Sequence, residues 1–111
     1  MSIGATQHRH PDVRIVGDTE MTIACDLVDD DNTLMDLTGA TATFAYRLVD
    51  GTVLSSELAC TVSSSGTVVY EPSPSDTFVT TAGQYVGRFK LTLSDGKIMK
   101  WAVQLESVDE I

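Results

Sequence analysis

The feature that most constrains this chain is a two-residue alternation of apolar and polar side chains, which recurs in run after run. Met21, Ile23, Cys25 and Leu27 alternate with Thr22, Ala24 and Asp26, and a period of two puts one set on each face of a half-buried strand. Ala42, Phe44, Tyr46 and Leu48 alternate in the same way with Thr43, Ala45 and Arg47. The third run, Tyr85, Gly87, Phe89, Leu91 and Leu93, interleaves with Val86, Arg88, Lys90 and Thr92. The last places Met99, Trp101, Val103 and Leu105 on one side. Ile23, Phe44, Phe89 and Trp101 are therefore expected to face each other across a core. No window carries an apolar stripe at helical spacing, so at most a short helical turn is expected, near residues 75–80.

Composition points the same way. Fourteen Thr, twelve Val and five Ile are β-branched, and such side chains favour pleated backbone over helix. Asp50-Gly51 and Asp95-Gly96 close runs with hairpin chemistry, and Ser63-Ser64-Ser65-Gly66 marks another turn. Pro72 and Pro74 cannot donate to a ladder, so residues 72–76 read as a connection crossing between sheets. Shorter strands are expected around Leu54, Leu58, Cys60 and Val62 and at 67–71. Counting residues 13–16 as an opening strand gives about seven, the spacing of an antiparallel sandwich. The expected organisation is an arm, residues 1–12, followed by one all-β domain, residues 13–111; no internal repeat or low-complexity tract interrupts it.

At 111 residues with a net charge of -9, the chain is long enough for one core and repels nucleic acid and anionic lipid at long range. Neither a nucleic-acid nor a membrane partner is expected, since no apolar run exceeds three residues and a spanning helix needs about 20. Residues 1–14 lack the apolar centre of a secretion signal. Cys25 and Cys60 are too few for a disulfide scaffold, and read as buried thiols that a cytoplasm keeps reduced.

Chemistry-bearing residues are sparse. His8 and His10 flank Arg9, and in a trimer three such arms could surround a metal; a lone arm would hold none. Asp29, Asp30, Asp31, Asn32 and Asp36 supply the oxygens that calcium prefers, but without the glycine and distal glutamate of an EF-hand loop they read as a solvated turn. The serines at 63–65 have no histidine nearby to activate them, and Gly83 and Gly87 do not precede a helix as a phosphate loop would. No cofactor and no enzymatic activity are expected.

Two stretches carry a resemblance. Thr80-Thr81-Ala82-Gly83-Gln84-Tyr85 looks like the tyrosine corner of immunoglobulin-like domains, with Gly87 where an antibody domain has its second cysteine. Val16-Gly17-Asp18-Thr19, then Asp36-Leu37-Thr38-Gly39-Ala40-Thr41-Ala42-Thr43-Phe44, then Ala82-Gly83-Gln84-Tyr85 resembles small immunoglobulin-like domains of tailed-bacteriophage virion proteins. The nearest such family is the amino-terminal domain of phage baseplate upper proteins, and the likeness spans about residues 13–106. In the motif itself, Asp36 and Thr38 can bond nearby backbone, Gly39 can accept a positive φ, and Leu37 can plug the end of a sandwich. The resemblance implies an immunoglobulin-like sandwich and a non-enzymatic virion component that docks to neighbouring virion proteins and to further copies of itself. The long carboxy-terminal region of baseplate proteins is missing, which leaves capsid decoration, neck, tail and baseplate all open. Such a protein would be made in the host cytoplasm and reside in the virion.

Charge placement then suggests where docking happens. Seven acidic residues and no Lys or Arg fall between Ile15 and Tyr46. With Phe44, Phe89 and Trp101 on three strands of one sheet, Arg47, Arg88, Lys90 and Lys100 share its outer face, while Glu20, Asp26 and Glu57 are expected on the opposite sheet. That basic face, or the arm with His8, Arg9 and His10, is the expected partner-binding surface; the plainer alternative is a pair of ordinary solvated faces. A second class of function, a recognition module for cell-surface carbohydrate, would need exposed aromatics, with Tyr70 and Phe78 as the candidates. Tyr85, Trp101, Phe44 and Phe89 read as structural.

Overall fold

Each alternating run becomes a strand. A computed structural model describes residues 3–8 as backbone, together with 13–29, 31 and 33–109. Its elements are β1 (Ile3–His8), β2 (Val13–Ile15), β3 (Ile23–Asp29), β4 (Thr41–Leu48), β5 (Leu58–Ala59), β6 (Thr61–Val62), β7 (Thr67–Tyr70), α1 (Thr77–Thr80), β8 (Gly83–Thr92) and β9 (Ile98–Val108). Two sheets form, ordered β1-β3-β7-β6 and β2-β9-β8-β4-β5. Every pairing is antiparallel except that of β2 with β9. This is an all-β, immunoglobulin-like sandwich: the chain passes repeatedly from one sheet to the other, with only β4–β5, β6–β7 and β8–β9 following each other within a sheet, so the layers are tied by crossing connections.

Three details differ from the reading of the sequence. Residues 3–8, assigned there to an arm, form β1, which pairs with β3 from Ile3↔Asp29 to His8↔Cys25. The stretch lacks a strong apolar alternation, but a strand at a sheet edge needs only backbone partners. The single strand expected through Leu58 and Val62 is two, because the chain changes sheets at Cys60. Leu58–Ala59 pairs with β4 and Thr61–Val62 with β7, and the Cys60 amide donates to the Ala42 carbonyl at 3.1 Å to pin the crossing. Alternation reports which way a side chain faces, not which strand lies beside it. Finally, Arg14 is buried and its neighbours Val13 and Ile15 are each 48% exposed, the reverse of what polarity favours. Arg14 lays its guanidinium 5.1 Å from the Phe78 ring centroid and donates to the Met21 carbonyl at 2.9 Å.

The core lies where expected. Ile23, Phe44 and Phe89 are fully buried, and Trp101 is half-buried at its margin, stacked on Phe89 with ring centroids 5.3 Å apart. Full burial of each such side chain contributes about 1.5–3 kcal/mol.

The connection from β7 to β8 crosses between sheets, as its prolines require. It is held by a carboxylate: Asp76, 5% exposed, accepts hydrogen bonds from the Tyr46 hydroxyl at 3.1 Å, the Tyr70 hydroxyl at 2.6 Å and the Ser73 amide at 2.8 Å. Tyr85 then donates to the Thr81 carbonyl at 2.6 Å, which is the corner expected from the sequence. At the other end of the domain, Asp36 accepts from the Thr38 amide and hydroxyl at 3.0 and 2.6 Å, Gly39 adopts φ 80° and Leu37 is buried. The Asp-Leu-Thr-Gly turn thus does what its chemistry allows. α1 is four residues long, and among the described residues no helix is long and apolar enough to cross a membrane.

Candidate functional site

Strand register decides what the outer face of the five-stranded sheet presents. Residues directly opposite in neighbouring strands share a face, and the pairings place three rows across β4, β8 and β9. They are Thr43, Lys90, Lys100; Ala45, Arg88, Ala102; and Arg47, Val86, Gln104. Arg47, Arg88, Lys90 and Lys100 therefore do share one face, as their alternation with the buried aromatics implied.

Between the rows and the β4–β5 connection runs a trough of about 540 Å³. Ala45, Val86 and Ala102 floor it, Val53 walls it, and Arg47, Arg88 and Glu57 stand around it. Val53 is 74% exposed, a large apolar side chain left to solvent beside charged ones. The Nε of Arg88 and the Oγ1 of Thr43 are buried and have no hydrogen-bond partner among the described residues. A second depression of about 350 Å³ continues past Val86 to Gln84, Gln104 and Glu106.

Glu57 corrects the expected charge pattern. It does not face outward from the opposite sheet; its carboxylate accepts from Arg88 Nη2 at 2.8 Å and lies 3.8 Å from Lys90 Nζ. The β4–β5 connection runs beside β4, bonded to it through the Leu54 and Ser55 amides on the Tyr46 carbonyl, and Glu57 meets the Arg88 and Lys90 side chains from there, a long-range arrangement that no local parity reveals. The face thus carries four cations, two of them against Glu57, with Glu106 further along β9. Lys90 and Lys100 stand directly opposite each other, an arrangement that costs some local stability. Of the acids expected on the other sheet, Asp26 is on β3 and accepts from the Thr67 hydroxyl at 2.8 Å, while Glu20 is exposed in the β2–β3 connection.

The other candidates fare differently. His8 ends β1, and Arg9, His10, Asp30 and Asn32 lie outside the described residues. Asp29 accepts from the amides of Asp31 at 2.9 Å and Thr33 at 3.1 Å, so its carboxylate closes its own turn. Hydrogen bonds from Thr38 hold the Asp36 carboxyl below the usual carboxylate range. Among the described residues, no three His, Cys, Asp or Glu side chains gather where they could hold a metal. Burial pushes the Cys25 thiol up, with the Trp101 indole at 3.4 Å from its Sγ opposing the shift. Burial likewise pushes Cys60 up to about 12, so both are thiols, not thiolates, at neutral pH. Tyr70 and Phe78, which a sugar site would expose, are buried, at 4% and 0% exposure.

Sequence reasoning missed three buried polar groups, Arg14, Asp76 and Ser107. The only local hint for Asp76 is its position after the two prolines, ahead of a short helical turn. Ser107 donates to the Phe78 carbonyl, a contact between β9 and α1 that only the assembled fold creates.

No protein-family model matches the sequence, and no curated protein matches it. Solved structures do. CopC from Methylosinus trichosporium OB3b is similar with a TM-score of 0.58 at 10% identity, over 98% of this chain and 94% of that one. The Lin-41 filamin domain is similar with a TM-score of 0.50 at 15% identity, over 93% and 91%. These are likenesses of fold. They agree with the immunoglobulin-like sandwich and carry no function to this chain.

Proposed function

We propose that this protein is a non-enzymatic structural accessory protein of a tailed-phage virion, docking to neighbouring virion proteins through the outer face of its five-stranded sheet. The virion assignment rests on the resemblance of the Asp36–Phe44 and Ala82–Tyr85 stretches. What supports docking through this face is one observation: an apolar-floored trough bordered by Arg47, Arg88 and Glu57, on a face that Lys90 and Lys100 share. Exposed apolar surface with a charged rim is the composition of a protein interface, and the charges would fix orientation and partner choice more than affinity.

With six of the seven aromatics in the core and Trp101 half-buried against Phe89, the described surface offers no aromatic platform, and nothing favours the carbohydrate reading. The test is the double change Arg88→Glu with Lys90→Glu. Reversal breaks two exposed pairs with Glu57, each worth little, and sets an opposite charge across from Lys100, so the thermal transition should fall by a few degrees at most while copies per purified particle fall several-fold. Wild-type occupancy in that variant would remove the face from the account.

A further inference from the structure

The same chain presents a surface that fits its own trough. Leu34, between β3 and β4, is 50% exposed and is flanked by the exposed acids Asp31 and Asp36. It is not a loose loop residue. It bridges to Val28, the Asp29 amide donates to the Thr33 carbonyl at 2.8 Å, and the Met35 amide donates to the Leu27 carbonyl at 2.9 Å. The result is a fixed apolar knob with exposed acids three residues before and two after it, which binds at low entropic cost because it is already ordered.

Resting on the docking reading above, we infer that the occupant of the trough is a second copy of this chain, which seats Leu34 on the Ala45, Val86 and Ala102 floor and sets Asp31 and Asp36 against Arg47, Arg88 and Lys90. Apolar surface meets apolar surface and carboxylate meets guanidinium, in the manner of Glu57, whose carboxylate accepts from Arg88 at 2.8 Å. The knob lies at the end of the sandwich and the trough on one face, so the contact joins two different patches. A contact of that kind leaves one knob and one trough free in every pair, and repeats into a ring or an open row instead of stopping at a two-fold dimer.

Complementation tests this directly. Leu34→Glu removes the knob and keeps the trough; Arg88→Glu with Lys90→Glu removes the trough and keeps the knob. By sedimentation velocity the wild type should grow with concentration. Each variant alone should associate more weakly by a factor on the order of ten or more, and an equimolar mixture should form a one-to-one pair that does not grow. Leu34→Ser serves the same purpose if Leu34→Glu does not fold. A wild type monomeric at every concentration, a knobless variant that still associates as wild type, or a mixture that stays monomeric would overturn the inference. A monomeric wild type whose trough variant is nonetheless lost from particles would overturn self-contact and leave docking to another protein standing. Head-to-tail growth with wild-type occupancy in the trough variant would do the reverse.

Discussion

The ring of Phe44 occupies the space in front of Gly87. A Cβ on Gly87 would stand 2.5 Å from two of its ring carbons and 3.0 Å from Val103 Cγ2. Antibody domains place a sheet-bridging cysteine at the corresponding point after the corner tyrosine; here both cysteines are free, and an aromatic ring takes that volume. Phe44 stacks on Tyr70 of the other sheet at 4.8 Å between centroids and tilts against Phe89 at 4.8 Å. The two layers are joined by packing where the immunoglobulin frame would use sulfur.

Gly87→Ala should therefore destabilise by overpacking. The methyl group has no room unless Phe44 moves, and inserting a methyl into a filled core costs about 1–3 kcal/mol. Urea unfolding should show a lower midpoint with an unchanged slope. A midpoint equal to wild type would mean that the ring has somewhere else to go.

Tyr85→Phe isolates the corner. It deletes the donor that the Thr81 carbonyl at 2.6 Å shares with the Thr77 carbonyl at 3.3 Å and keeps the ring in the core, so the loss is that of one shared hydrogen bond, about 0.5–1.5 kcal/mol. In a domain of this size that lowers Tm by several degrees, since about 1 kcal/mol corresponds to 4–8 °C. Differential scanning calorimetry reads it.

Alkaline pH should unfold the protein from the crossing connection. Burial, with hydrogen bonding to Asp76, raises the Tyr70 hydroxyl above its ordinary value of 10.0, and burial raises Tyr46 likewise. Burial also lifts Cys60 from 9.0 to about 12. For groups that lose a proton to become charged, a raised folded pKa means that the folded state holds protons longer than the unfolded chain. The stability they contribute is full below the unfolded values and is lost as pH climbs through 9 and 10 toward the folded ones. Urea midpoints should thus be level near neutrality and fall steeply above pH 9–10. Tyr70→Phe should flatten that fall, at the expense of the bond to Asp76.

How much of this was readable in the sequence depends on the range over which each feature is set. Ile23, Phe44 and Phe89 were legible as core because alternation is local, and Asp36 and Gly39 because turn chemistry is. Tyr85 was legible from the residues just before it. The shared face of Arg47, Arg88, Lys90 and Lys100 followed once the strands were assigned to one sheet. Glu57 was not legible: its contact with Arg88 and Lys90 depends on how the β4–β5 connection returns along β4, and nothing near it in sequence encodes that. Arg14 and Asp76 were hidden for the opposite reason, since charge alone argues for exposure, and their burial is tolerated through partners far along the chain, Phe78 for one and Tyr46 for the other.

Lys100→Glu separates folding from docking. Lys90 and Lys100 face each other across β8 and β9, and like charges directly opposite in a sheet are unfavourable, whereas an opposite pair is worth roughly 0.2–1 kcal/mol. Replacing Lys100 should therefore raise the urea midpoint slightly, because Lys90 gains a carboxylate neighbour. If the cationic face serves docking, the same change should lower particle incorporation. Solvated faces without a partner would predict the gain in stability and no loss of assembly. A variant that is at once more stable and less assembled is what a surface shaped for contact requires, because selection for folding alone would favour the opposite-charge pair.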